Sequence, residues 1–179
     1  MTGRGVVTYA GVAHPWMCDE MGHLNVRHYA AMFDDASFQV LGRIAGSDAD
    51  KKRFGWADVR MEIDYRHETA AGTLVTIHSY VEKIGNSSVT YVHVLEGTID
   101  GIVRAQAKTT TVRFDLTTRT KIALDDGNRR RAETICLRKG HSNPKSRILL
   151  DGRSWHFADI ALPRKTLENR NLVCTAYID

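Results

Sequence analysis

The chain is short of several things that would have placed it at once. Its three cysteines, Cys18, Cys136 and Cys174, stand far apart. An odd, scattered set fits reduced thiols better than a disulfide framework, and no C-x-x-C spacing marks a metal site. Cys18 reads more readily as a small half-buried side chain than as a nucleophile. No apolar run approaches the roughly 18 residues that a membrane helix needs. The opening Met1-Thr2-Gly3-Arg4-Gly5 lacks the apolar core of a secretory signal, so a cytoplasmic protein is the default expectation. No internal repeat or low-complexity tract appears.

A strong charge is missing too. The formal net charge is +4, and residues 1–137 balance 17 Lys and Arg against 17 Asp and Glu. Residues 138–179, with eight basic and four acidic residues, carry the whole surplus. That argues against a general nucleic-acid surface, while a local patch for a phosphorylated ligand stays open. The hydrophobic share of 42% is normal for a globular protein, and 179 residues suit one folded domain. The reading is a domain over 1–137 and a C-terminal extension over 138–179 of unknown structure.

Residues 6–16 are rich in Val and aromatic residues and read as a strand ending near Pro15. A polar stretch from Cys18 to Asn25 follows. Then Val26, Tyr29, Ala30, Phe33, Ser37, Val40, Leu41 and Ile44 recur at helical spacing, with Asn25 as N-cap and Gly46 as stop. Four strands are expected after it. From Ala57 to Arg66 apolar and charged residues alternate, as in a strand with one wet face. Leu74 to Lys83, Val89 to Glu96 and Ile102 to Phe114 follow, with turn chemistry at Gly85-Asn86-Ser87-Ser88 and Asp100-Gly101. Val103, Ala105 and Ala107 form a small-residue face on which a helix can lie close. A short Arg-rich helix is expected within 125–137. Short apolar patches at Ile148–Leu150, Trp155–Leu162 and Leu172–Ile178 show no sustained period. The order, one long helix and then strands joined largely by hairpins, is an α+β layer of one helix on a curved antiparallel sheet of about five strands.

The segment Asp19-Glu20-Met21-Gly22-His23-Leu24-Asn25 concentrates the chemistry. It feeds the N-terminus of the one long amphipathic helix, where free N–H groups and a partial positive charge favour an oxygen that becomes an anion. It sets a carboxylate, an imidazole and a carboxamide within seven residues. A carboxylate there can attack a carbonyl or act as general base on water. Gly22 lets the backbone approach a ligand closely. Each residue also has an ordinary explanation: a turn Asp, a surface or core His, a helix cap.

The stretch Trp16 to Tyr29, continuing to Phe33-Asp34-Asp35-Ala36, follows the pattern D-x-x-G-H-x-N-x-x-x-Y-x-x-x-F-D-x-A. It resembles the 4-hydroxybenzoyl-CoA thioesterase superfamily, and within it the small bacterial thioesterases of carnitine and betaine metabolism. The resemblance covers roughly residues 6–135, its specific part lying in 15–40. It implies a hot-dog fold and an acyl-CoA thioesterase that hydrolyses a small or polar acyl-CoA to free acid and coenzyme A, with no cofactor and no metal. Asp19 matches the catalytic carboxylate, Gly22 the loop glycine, and Val26 the first-turn position whose N–H polarises the thioester carbonyl. His23 and Asn25 depart from the benzoyl-type pattern and match a G-H-x-N form, which leaves Asp19 as general base or nucleophile. Tyr29 completes the expected substrate contacts, and Phe33 and Trp56 are further candidates for the acyl pocket. The family also implies a homodimer or homotetramer with acyl-CoA at the interface, no nucleic-acid or membrane partner, and nucleotide contacts from strand residues such as Arg104 and Lys108. The competing reading is a hot-dog module that binds acyl-CoA without turning it over. A hot-dog hydratase is disfavoured, since its Asp–His motif is not found.

Overall fold

The computed structural model describes residues 5–47, 50 and 53–137. The chain divides into two units, Met1–Asn143 and Pro144–Asp179, and every described residue belongs to the first. The apolar patches noted beyond residue 140 lie outside the described residues.

Strand β1 (Val6–Val12) ends earlier than its sequence suggested. Pro15, with no N–H to give to a ladder, instead opens a short 3-10 turn, Pro15–Met17, that swings the chain toward the helix. Helix α1 (Val26–Ala45) then runs for 20 residues. Both expected ends hold. The Asn25 side chain accepts the Arg27 N–H at 3.1 Å, and Gly46, at φ +84°, returns its N–H to Gly42. Strands β2 (Phe54–Tyr65), β3 (Leu74–Ile84), β4 (Ser88–Gly97) and β5 (Val103–Asp115) follow. Then come the two-residue β6 (Thr120–Lys121) and helix α2 (Asp126–Glu133), capped by Asp125.

The strands order as β1-β3-β4-β5-β2, with every neighbouring pair antiparallel and β6 beside β5. Helix α1 lies across one face. This is the hot-dog arrangement. Ala105 and Ala107 of β5 are fully buried against Tyr29, Met32, Phe33 and Ala36, so the small-residue face does receive the helix. The buried stripe of α1 is rotated from the one read off its sequence. Met32 and Ala36 are inside, while Val26 is 58% exposed. The cause is that the sheet, not the helix period, decides which side is covered. Each fully buried large side chain, such as Phe33, contributes on the order of 2 kcal/mol.

A polar track runs through this core. The Ser37 hydroxyl donates to the Phe33 carbonyl at 2.9 Å, which leaves it to accept from His93 Nε2 at 3.1 Å. His93 Nδ1 then accepts from the Ser79 hydroxyl at 2.6 Å, and the Ser79 and Thr8 hydroxyls share a 2.6 Å bond. Nearby, Tyr91 shares a 2.9 Å bond with Thr111, whose hydroxyl donates to Asp58. His93 and Tyr91 are both fully buried. Burial lowers the His93 pKa to about 4 and pushes Tyr91 up to about 12, so both are neutral near pH 7.

Candidate active site

The Asp19–Asn25 segment is a closed loop pinned on two sides. Asp19 N–H donates to the His23 carbonyl at 2.9 Å, and Gly22 N–H returns to the Asp19 carbonyl at 3.0 Å. Gly22 sits at φ +79°, where a Cβ would be strained although nothing lies within 4 Å of it. The loop between β2 and β3 lies alongside. Leu24 N–H reaches the Thr69 carbonyl at 2.8 Å, and Ala71 N–H reaches the Gly22 carbonyl at 3.2 Å. Asn25 N–H reaches back to the Met17 carbonyl at 3.0 Å. The loop is therefore fixed before any ligand arrives.

Within it, Asp19 Oδ1 accepts two backbone N–H groups, Met21 at 2.9 Å and His23 at 3.2 Å. Its other oxygen has no hydrogen-bond partner among the described residues. One oxygen thus holds the carboxylate in place. Asn25 caps the helix through its oxygen, which leaves the Val26 N–H unpaired at the positive end of α1. Val26 itself is exposed.

His23 and Tyr29 are turned to other contacts. His23 Nε2 lies 3.4 Å from Glu68, and its Nδ1 is buried without a partner. Tyr29 is only 4% exposed, donates its hydroxyl to Thr69 at 2.8 Å and meets Tyr65 edge-on at 5.3 Å. Burial raises its pKa above the usual 10. It ties α1 to the β2–β3 loop. Cys18 makes only a weak 3.5 Å contact to the His14 carbonyl. Arg104 pairs with Asp100, and Lys108 pairs with Glu82, so each of these strand cations already has a carboxylate. Among the described residues no cluster of His, Cys, Asp and Glu could hold a metal ion.

A cavity of about 480 Å³ opens farther along the helix, between the second half of α1 and the first half of β2. Phe38, Leu41, Phe54 and Trp56 wall it, and Asp34 and Asp58 line it too. Of the aromatic residues expected in an acyl pocket, Trp56 is here. Phe33 is fully buried in the core instead. The cavity had no signature in the sequence, because its two walls lie in separate elements and meet only through the sheet.

Residues 13–136 match the family model for the thioesterase-like superfamily. The chain belongs to that superfamily. Thioester hydrolysis is therefore its reaction class. Solved structures agree in fold. A predicted thioesterase from Bacillus stearothermophilus is 25% identical, with a TM-score of 0.64 over 74% of this chain and 98% of its own. The YbaW probable thioesterase from Escherichia coli is 22% identical, with a TM-score of 0.60 over 73% of this chain and 98% of its own. A hypothetical protein from Staphylococcus aureus, solved in complex with CoA, is 11% identical, with a TM-score of 0.67 over 79% and 93%. No match is found among curated proteins. Among the described residues no helix is long and apolar enough to cross a membrane.

Proposed function

We propose that this thioesterase hydrolyses an acyl-CoA with Asp19 as general base. The observation that carries this reading is the divided carboxylate: one oxygen is held by two backbone N–H groups, the other has no hydrogen-bond partner among the described residues, and the loop that carries them leads into the N-cap of α1. The free oxygen takes a proton from a water as that water attacks the thioester carbonyl. The carbonyl oxygen becomes an oxyanion against the Val26 N–H and the helix dipole. Collapse breaks the C–S bond, and the proton on Asp19 passes to the departing thiolate. The Asn25 amide nitrogen can donate to the water or the carbonyl, since only its oxygen is used in capping. His23 holds the flank of the loop through Glu68. The fixed Oδ1 favours this route over covalent attack, because a carboxylate locked by two N–H groups is poorly free to rotate onto carbon.

The working unit in this reading is a homodimer joined along β2. That strand is 12 residues long, pairs only with β5 among the described residues, and exposes Val59 and Tyr65. Arg60 and Glu62 lie two positions apart on it, so antiparallel pairing of two copies about Met61 sets unlike charges opposite each other. Such pairing runs the β2 C-terminus of one copy, with its catalytic loop, toward the cavity at the β2 N-terminus of the other.

Thiol release from an acyl-CoA panel tests the enzyme. Asp19→Asn keeps an acceptor for both N–H groups but loses the base, and kcat should fall by roughly 10²–10⁴-fold. Equal turnover by both proteins would remove Asp19 from its role. Binding of acyl-CoA with no turnover of any panel member would instead make the chain a binding module.

A further inference from the structure

The Asp19–Asn25 loop does not explain the cavity between α1 and β2. We propose that it takes the acyl group of the substrate, and that this group is bulky, uncharged and mainly apolar, not small or polar. The inference rests on the thioesterase reading and specifies its substrate.

Three properties of the cavity carry it. The first is size. At about 480 Å³ it falls within the range of small-molecule sites, and a two- or three-carbon acyl group would leave most of it empty. The second is the wall. Phe38, Leu41, Ala45, Phe54 and Trp56 present apolar surface from both α1 and β2, and Phe38 is 72% exposed there. An apolar chain laid against these residues removes them from water, which a small polar group cannot do. The third is charge. Asp34 and Asp58 both line the cavity, and the one cation in the lining, Arg113, is already paired with Asp125 at 2.6 Å. A second carboxylate on the acyl group would meet two like charges. Of the remaining polar groups, the Asn128 Oδ1 is a buried atom with no hydrogen-bond partner among the described residues, a single acceptor beside a mainly apolar wall. Asp58 holds the Thr111 hydroxyl, and the Ser37 hydroxyl is used by Phe33 and His93.

Gly42 offers a clean test. It lines the cavity from the middle of the helical wall, and a Cβ built on it meets nothing within 4 Å. A larger side chain therefore enters the cavity without a backbone clash, and replacing Gly within a helix favours folding. The assay compares kcat/KM for acetyl-, hexanoyl-, decanoyl-, phenylacetyl- and adipoyl-CoA in wild type and Gly42→Phe, with thermal melting as the fold control. Wild type should prefer decanoyl- and phenylacetyl-CoA over acetyl-CoA, and hexanoyl- over adipoyl-CoA, by about 10-fold or more. Gly42→Phe should cut the decanoyl-to-acetyl ratio by a similar factor. Leu41→Trp reads the same ratio if Gly42→Phe does not fold. A wild-type preference for acetyl- or adipoyl-CoA, or a ratio unmoved in both variants, overturns the inference while leaving the enzyme standing. A changed molecular mass with an unmoved ratio gives the cavity to subunit packing and also overturns it. If no thioester is cleaved, the enzyme reading fails first, and calorimetric titration with decanoyl-CoA decides the cavity. Binding that Gly42→Phe weakens supports it, and absence of binding overturns it.

Discussion

Acid should destabilise this fold through one residue, His93. Its imidazole is fully buried, and burial lowers its pKa from the ordinary 6.5 to about 4. In the unfolded chain the ring returns to its ordinary value. The unfolded state therefore takes up a proton first as the pH falls. The contribution of the neutral ring is complete above about pH 6.5, declines between 6.5 and 4, and is gone below the folded value. At about 1.4 kcal/mol per pH unit, the pKa gap corresponds to a loss of roughly 3 kcal/mol across that window. That is a large share of the ~5–15 kcal/mol that holds a typical domain together. The measurement is urea denaturation at half-unit steps from pH 8 to pH 4.5, on wild type and His93→Gln. Gln keeps a donor and an acceptor but does not titrate. Wild type should lose stability steeply below pH 6.5, and the variant, less stable at pH 7, should show a shallower slope. NMR titration of the imidazole gives a second view, with no protonation of the folded protein above about pH 5. Parallel slopes for the two proteins, or a folded His93 that titrates near 6.5, would refute the argument from burial.

Other consequences follow from the same geometry. Asn25→Ala removes the helix cap and should lower stability by about 1 kcal/mol in denaturant, whereas Asn25→Asp should keep the cap and reveal by its rate whether the amide assists turnover. Gly22→Ala places a side chain at φ +79° and should cost roughly 1–2 kcal/mol with a matching loss of rate, from backbone strain alone, since no atom stands near the new Cβ. Val59→Lys puts a charge on the open edge of β2 and should shift the molecular mass in light scattering from dimer to monomer. Co-expression of Asp19→Asn with Gly42→Phe subunits should recover part of the decanoyl-CoA turnover that each variant lacks alone. Only a site shared between two chains allows this, and no recovery would place loop and cavity in one chain.

What the sequence determined by itself is local. Asn25 and Gly46 mark the two ends of α1 because capping and stopping a helix need only neighbouring residues. The Gly85–Ser88 and Asp100–Gly101 turns fix the β3–β4 and β4–β5 hairpins for the same reason. The internal bonds of the Asp19–Asn25 loop are local as well, Asp19 to Met21, Gly22 and His23, whereas its contacts to Thr69 and Ala71 come from the β2–β3 loop and have no local signal. Where local signals ran out, the reading slipped. Apolar periodicity carried β1 past Val12 until Pro15 ended it, and the stripe on α1 missed Met32 and Ala36, which the sheet covers. The bond from the Tyr29 hydroxyl to Thr69, forty positions away, has no signal in the sequence either. Tertiary structure alone made the His93 track, which joins β1, β3, β4 and α1, and the cavity, whose walls belong to α1 and β2. Side chains so distant in sequence have no spacing rule to reveal them. They become neighbours only when the sheet closes around the helix, and that closure decides both the acid response and the shape of the cavity.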